Sequence, residues 1–265
     1  MKIREIVKVV EQLAPPSLAA VWDNPGLLVG DSEAECSKIM VALDLTLPVL
    51  KQAEQQGCQL VLTHHPFIFQ AQKKVLAHSY EGDLIIWLAQ HNMAALAAHT
   101  NWDNADGGIN WTLAEALQLT NIRAIAEPPE EILLLAGDLP QDMSAGEILE
   151  HVRHTLGLPV LRAAGLNADK TYRRIAVCGG AAMEYWTMAA AAGCDALVSA
   201  DPKHHEGLQA EHSGFAVLDG THFATEIIGI RRLGELVREK LPEVTVCFAE
   251  TEDSWAYYGA DGKRL

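Results

Sequence analysis

The residues able to do chemistry in this 265-residue chain gather at three places. In Leu60-Val61-Leu62-Thr63-His64-His65-Pro66, an apolar run suited to a buried parallel strand stops at two adjacent histidines and a proline that ends the ladder. Met93 to Ala98 is a second apolar run, and it breaks into His99-Thr100-Asn101-Trp102-Asp103-Asn104, an imidazole with two candidate carboxylates, Asp103 and Asp106. Phe215 to Leu218 is a third, ending in Asp219-Gly220-Thr221-His222-Phe223-Ala224-Thr225-Glu226. His222 and Glu226 are spaced i, i+4 at the start of a helix, so both project from one face. In open α/β sheets the crevice outside the strand ends is where ligands and metals sit.

Imidazole plus carboxylate without thiolate is a ligand set for Zn, Mn, Fe, Co or Ni; calcium and magnesium want more oxygen, and copper(I) wants sulfur. His64, His65 and His222 with Asp103 and Glu226 are too many protein ligands for an open mononuclear catalytic site. They suit two divalent cations sharing one carboxylate, and Glu226 is the natural bridge. Each group alone is more often a hydrogen-bonded strand-end residue, but three such lips together favour metal. No G-x-S-x-G, Walker loop, dinucleotide fingerprint or Ser-Lys pair occurs, and Gly179-Gly180 resembles a phosphate-cradling turn only faintly. The nucleophile would therefore be metal-bound water, attacking a carbonyl, an imidazole-ring carbon or a phosphoryl group. His99 reads as a group that hydrogen-bonds a ligand or substrate, and Lys203-His204-His205 as substrate-contacting or structural. His78, His91 and His212 read as surface positions, and His151 and His154 as part of a solvated helix face.

Positioning these strand ends takes alternating strands and helices. A helix over 2–14, with Ile3, Ile6, Val7, Val10 and Leu13 on one stripe, ends at Pro15-Pro16. Trp22 to Gly30 reads as a loop with an Asn-Pro-Gly turn. A strand over Ile39 to Asp44, a helix from Pro48 to Gln56 closed by Gly57, and the strand before His64 give a βαβ rhythm; helix 80–92 and the strand before His99 continue it. Pro128-Pro129-Glu130-Glu131 reads as a linker between two α/β domains, 1–126 and 127–265. After it come a strand (Ile132 to Ala136), a helix (Ser144 to Leu156), a strand (Pro159 to Arg162), a helix over 227–240 and a last strand, Val244 to Phe248. The chain also repeats itself: laying Ile39-Met40-Val41 on Ile175-Ala176-Val177 puts Gly57-Cys58 on Gly193-Cys194, Leu62-Thr63 on Val198-Ser199 and Pro66 on Pro202. This implies an internal duplication of a βαβ unit and two similar domains.

Composition narrows the partners. The net charge is −15, with 20 basic and 35 acidic residues and no basic block, which disfavours nucleic acid and anionic lipid and favours cations. The N-terminal helix carries Glu5 and Glu11 where a secretory signal needs an unbroken apolar core, and no run reaches membrane-spanning length. The five scattered cysteines, with no C-x-x-C, read as small reduced residues in a cytoplasmic protein.

Taken together, Trp22-Asp23-Asn24-x-Gly26-Leu27, Val41-Ala42-Leu43-Asp44, Thr63-His64-His65-Pro66, His99-Thr100-Asn101-x-Asp103 and His222-x-x-x-Glu226 resemble the GTP cyclohydrolase 1 type 2 homologue family, the NGG-interacting-factor-three-like dinuclear metal proteins. The resemblance spans nearly the full length. It implies two ions, one held by His65 and Asp103, the other by His64 and His222, with Glu226 shared. It further implies two three-layer α/β/α domains with exchanged C-terminal strands, the C-terminal segment packing back on the first domain, and a toroidal homohexamer. The implied reaction is hydrolytic opening of the guanine imidazole ring of GTP, so the expected substrate is a nucleotide or similar small molecule. The alternative is a non-enzymatic metal-binding or regulatory protein. Two departures from the family pattern touch the backbone near the pocket: Thr221 stands where a Gly is usual before the second-half histidine, and Ala200-Asp201 where Gly-Asp is usual.

Overall fold

The computed structural model describes residues 1–126 and 132–264, so the linker expected at Pro128-Pro129-Glu130-Glu131 lies outside the described residues. The protein is α/β with two mixed sheets, one in each of two compact units. The first unit is built from Met1–Gly108 and Gly229–Thr251, and the second from 109–126, Leu133–Ile228 and 252–264. The chain therefore enters each unit more than once.

The first unit runs α1 (Ile3–Leu13), β1 (Gly26–Val29), β2 (Lys38–Ala42), α2 (Leu47–Gln56), β3 (Leu60–Thr63), α3 (Tyr80–Gln90), β4 (Ala94–Ala97) and α4 (Thr100–Asp103). The second carries α5 (Ile109–Ala116), β5 (Thr120–Ala126), β6 (Leu134–Met143), α6 (Ala145–Thr155), β7 (Arg162–Ala164), β8 (Tyr172–Val177), α7 (Trp186–Ala191), β9 (Ala196–Ser199), α8 (His204–Ser213) and β10 (Ala216–Asp219). Helix α9 (His222–Lys240) begins in the second unit and ends in the first, where β11 (Thr245–Phe248) follows.

The first sheet has the order β1-β4-β3-β2-β11, all parallel except β1, which runs antiparallel to β4. Its β3 and β4 are buried along their whole length, which is why they read as continuous apolar runs rather than alternating ones. Between them and β2 the chain reverses through α2, started by Pro48 and by the Thr46 side chain accepting the Val49 N–H, and stopped by Gly57 at φ 70°. The second sheet has the order β5-β6-β8-β9-β10-β7, with β8, β9 and β10 parallel and β5, β6 and β7 antiparallel to their neighbours. Each unit has its own apolar core: Met40, Leu50, Val61, Leu84 and Leu88 in the first, Leu135, Ile148, Val152, Ile175 and Val198 in the second. Among the described residues no helix is long and apolar enough to cross a membrane.

Three expectations shift. The loop expected over Trp22 to Gly30 contains β1, an edge strand half-buried at every position and so without an apolar signature. The strand expected at Pro159 to Arg162 instead starts at Arg162, after Pro159. The strand expected at Ile132 to Ala136 runs on to Met143, with a register irregularity between Asp138 and Met143.

Two features generate tests. Thr221 has φ 59°, a conformation in which a β-branched side chain crowds its own backbone. Thr221→Gly should stabilise the protein by about 1 kcal/mol, visible as a rise of a few degrees in thermal midpoint; an unchanged or lower midpoint would show that the local bonds of Thr221 offset the strain. The Cys58 thiol is pushed up to about 12 by burial and by the neighbouring Cys247, and Cys194 to about 11 by burial. Both stay protonated at pH 8, so iodoacetamide should leave them unmodified in native protein and label them after denaturation.

Candidate metal centre

Parallel register decides which side chains meet at the strand ends. In the first sheet Ala42 is level with Thr63, and Thr63 with Ala97. The residues just beyond, Asp44, His64-His65 and Ala98-His99, therefore leave the sheet side by side. His64 Nδ1 donates to the Ala98 carbonyl at 2.9 Å and His65 Nδ1 to Asp44 Oδ1 at 2.7 Å. The turn that separates the two imidazoles is fixed by both backbone N–H groups donating to the Leu43 carbonyl, and by the Thr63 hydroxyl donating to the His65 carbonyl at 2.9 Å. Since a carbonyl or carboxylate can only accept, Nδ1 carries the proton in both rings and Nε2 presents a lone pair.

Helix α4 places Asp103. It is a single turn, with the Trp102 and Asp103 N–H groups donating to the His99 carbonyl. Its position is fixed by fully buried Trp102, whose indole N–H donates to the Gly229 carbonyl at 2.9 Å, and by the Asn101 amide donating to the Ala14 carbonyl at 2.7 Å. Asp103 Oδ1 then lies 3.4 Å from His64 Nε2, two electron-rich atoms that suit a shared proton or cation. Asp106, the other candidate carboxylate, is exposed beyond the end of α4 and is not aimed by it.

His99 is more than the expected hydrogen-bonding group. Its Nδ1 donates to Asp23 Oδ1 at 2.8 Å, and its ring meets those of His64 and His65 with centroids 5.0 and 5.5 Å apart. His64, His65 and His99 each offer a nitrogen within 4.8 Å of the others'. Burial pushes the Asp23 carboxyl up, but the bonds from His99 and Thr100 outweigh it and hold it below its ordinary value. Trp22 and Phe69, both exposed, stand edge-on to His99 at 5.8 and 5.5 Å.

In the second unit Asp219 is level with Ser199, which brings Asp201 and His222 together beyond the strand ends. His222 Nδ1 donates to Asp201 Oδ2 at 2.7 Å, and its Nε2 lies 3.1 Å from Glu226 Oε2 one helical turn on. Glu226 is buried, and Gly180 makes room for it. At φ 65° a Cβ on Gly180 would stand 2.1 Å from Glu226 Oε1, while the Gly180 N–H is held by the Thr225 hydroxyl at 3.1 Å. The Gly179-Gly180 turn is thus a space-giving cradle for a carboxylate rather than a phosphate loop.

Each unit therefore assembles its own share of the expected ligand set, His64, His65 and Asp103 in one and His222 and Glu226 in the other. The donor chemistry of both clusters fits a divalent cation. What sequence reasoning missed are the carboxylates behind the rings, Asp44, Asp23 and Asp201; the first two lay inside the motifs quoted above, but their contacts join residues tens of positions apart. The remaining histidines do not join these clusters: His91 stacks on Trp87 at 4.2 Å and bonds its carbonyl, His151 bonds the Leu117 carbonyl, and His78, His154, His204, His205 and His212 are exposed.

The comparisons with known proteins agree over nearly the whole length. The profile of the Duf34/NIF3 (NGG1p interacting factor 3) family matches residues 1–254. A Clostridium perfringens protein named GTP cyclohydrolase 1 type 2 homolog is 32% identical over 244 residues, covering 91% of this chain and 93% of that protein. The crystal structure of a Bacillus cereus protein related to NIF3 superposes with a TM-score of 0.90 at 22% identity, covering 97% of this chain and 99% of that one. That of a Staphylococcus aureus hypothetical protein gives 0.88 at 26% identity, with the same coverage. The chain belongs to the Duf34/NIF3 family, among the GTP cyclohydrolase 1 type 2 homologs.

Proposed function

We propose that this protein is a dinuclear metal-dependent hydrolase acting on a nucleotide or a related small molecule. The observation that carries the reading is the anchoring of each ligand imidazole through Nδ1, by Ala98, Asp44 and Asp201, which sets the Nε2 lone pairs for a cation. In this reading His65 and Asp103 hold one divalent cation, His64 and His222 the other, and Glu226 is shared; Zn, Mn, Fe, Co and Ni all suit the set. What such a pair supplies when bound is Lewis acidity and a water acidified toward neutrality. The chain's own part is to place Asp103 and Glu226 beside the imidazoles, to keep the rings in one tautomer, and to present His99, backed by Asp23, as a donor to substrate or as a further nitrogen ligand.

The name of the Clostridium perfringens relative supports GTP as the substrate to try first, with opening of the guanine imidazole ring and release of formate. A toroidal homohexamer, a cytoplasmic location, and descent from a duplicated three-layer domain with exchanged C-terminal strands belong to the same proposal. They are supported by the family membership, the buried thiols, and a run common to both sheets, an antiparallel edge strand followed by three mutually parallel strands, β1-β4-β3-β2 in the first and β7-β10-β9-β8 in the second. The net charge of −15 speaks against nucleic acid as a partner. The second reading, a metal-binding or regulatory protein without turnover, is favoured by the same clusters if no substrate gives added stability. Cations should raise the thermal midpoint in either case, but only an enzyme should gain further from a nucleotide.

Two measurements test the proposal. Asp201→Asn keeps the shape but removes the charge behind His222, and Gly180→Ala crowds Glu226. Each should lower metal affinity about 10- to 100-fold with the fold retained by circular dichroism, and full metal content in both would count against the ligand set. Protein loaded with Mn, Fe or Zn should release formate from GTP, and Glu226→Gln should abolish this. No turnover with any metal would remove the cyclohydrolase version.

A further inference from the structure

The second unit contains a cavity of about 480 Å³ whose wall includes His222. Apart from His222 and its anchor Asp201, the groups lining it have no part in the metal centre. Arg162 from β7, Asp219 from the end of β10, and Asp253, Trp255 and Tyr257 from the C-terminal tail converge there. The volume falls within the ordinary range for small-molecule sites and is sufficient for a nucleoside.

The lining restricts the occupant. Arg162 donates through Nε and Nη2 to Asp219 Oδ2, at 2.9 and 2.6 Å, so its charge is met by a mostly buried carboxylate while Nη1 is not used in that pair. One guanidinium faces three carboxylates, Asp201, Asp219 and Asp253, a balance that repels an anion such as phosphate and favours a neutral group rich in N–H donors. Asp253 is oriented by accepting the Trp255 backbone N–H on Oδ1 at 2.9 Å, which leaves Oδ2 as the oxygen a ligand would meet. Trp255 is 85% exposed and Tyr257 37%, an unusual outlay of large flat side chains on a polar tail. The same tail residues also border a smaller cavity of about 240 Å³, so the aromatic segment has space beside it rather than close packing. Exposed aromatic faces next to carboxylate acceptors and a guanidinium donor are what a planar heterocycle with mixed edges requires.

We infer that this cavity seats a planar, uncharged heterocycle of the purine kind, stacked on the tail aromatics, with Asp253 accepting its ring N–H and adjacent exocyclic amino group and Arg162 donating to a ring carbonyl. The base then lies against His222, and any phosphate it carries points away from the cavity. The inference deepens the hydrolase reading by assigning the base-binding part of that site to the C-terminal tail, and it rests on that reading for its chemical purpose though not for the binding itself.

Full-length protein in EDTA, titrated with guanosine by calorimetry, separates the two. Guanosine should saturate a single site. Inosine, which lacks the exocyclic amino donor, and adenosine, which reverses the donor and acceptor edge, should bind about tenfold more weakly or worse. Trp255→Ala and Asp253→Asn should each weaken guanosine about tenfold, and Trp255→Phe should largely restore it. No saturation by millimolar guanosine, equal affinity for all three nucleosides, or indifference to the two variants would overturn the inference. So would a change of association state in Trp255→Ala with guanosine affinity intact, which would assign the exposed indole to an interface between copies. Guanosine binding without GTP turnover after metal is restored would sink the hydrolase reading alone; formate release from GTP without guanosine binding in EDTA would sink the tail assignment alone.

Discussion

A hydrogen bond from an imidazole Nδ1 to an acceptor that has no proton to give is the constraint on which the metal centre depends. Four rings obey it: His64 on the Ala98 carbonyl, His65 on Asp44, His99 on Asp23 and His222 on Asp201. In each case the acceptor settles the tautomer, fixes the ring plane and makes Nε2 the basic atom. For His64, His65 and His222 the acceptor lies beyond the end of a neighbouring parallel strand, so the register of β2 with β3, β3 with β4, and β9 with β10 is what delivers it. A slip of one residue in any of these pairings would turn the acceptor to the other face and leave the ring without its direction.

The two sheets use this constraint with the roles exchanged. The superposition that lays Pro66 on Pro202 sets Asp201 at the place of His65, and Gly180 at the place of Asp44. In the first unit β3 supplies the two histidine ligands and its neighbours their anchors; in the second the corresponding strand supplies the anchor, and the ligands come from the helix after β10. Gly180 then has a different task, to keep empty the space that the Glu226 carboxylate fills.

Much of this was legible in the amino-acid sequence, and the limits are physical. Strands β2, β3 and β4 stood out because both their faces are buried, and the ends of β3, β4 and β10 because apolar runs break there into ligand-type residues. The edge strand β1 did not, since a half-buried strand beginning in an Asn-Pro-Gly turn has neither a continuous nor an alternating pattern; β5, mostly exposed or half-buried, escaped for the same reason. His64, His65, Asp103, His222 and Glu226 could be named from spacing and type. The carboxylates behind the rings could not be assigned roles, because Asp23 and His99, or Asp44 and His65, are brought together only by sheet register and loop packing. The same holds for the interleaving of the units: nothing in composition says that Gly229–Thr251 belongs with the first hundred residues.

The place of β11 bears on how the protein is made. Thr245–Phe248 forms the border of the first sheet beside Lys38–Ala42, so β2 leaves the ribosome well before the strand that covers its outer rim. During synthesis the outer rim of β2 stays open, a template for pairing with other nascent chains, until β11 has emerged behind all the elements that lie between the two. Cellular yield should therefore depend on chaperone cover of that rim during the time between the two, more than on the stability of the finished molecule.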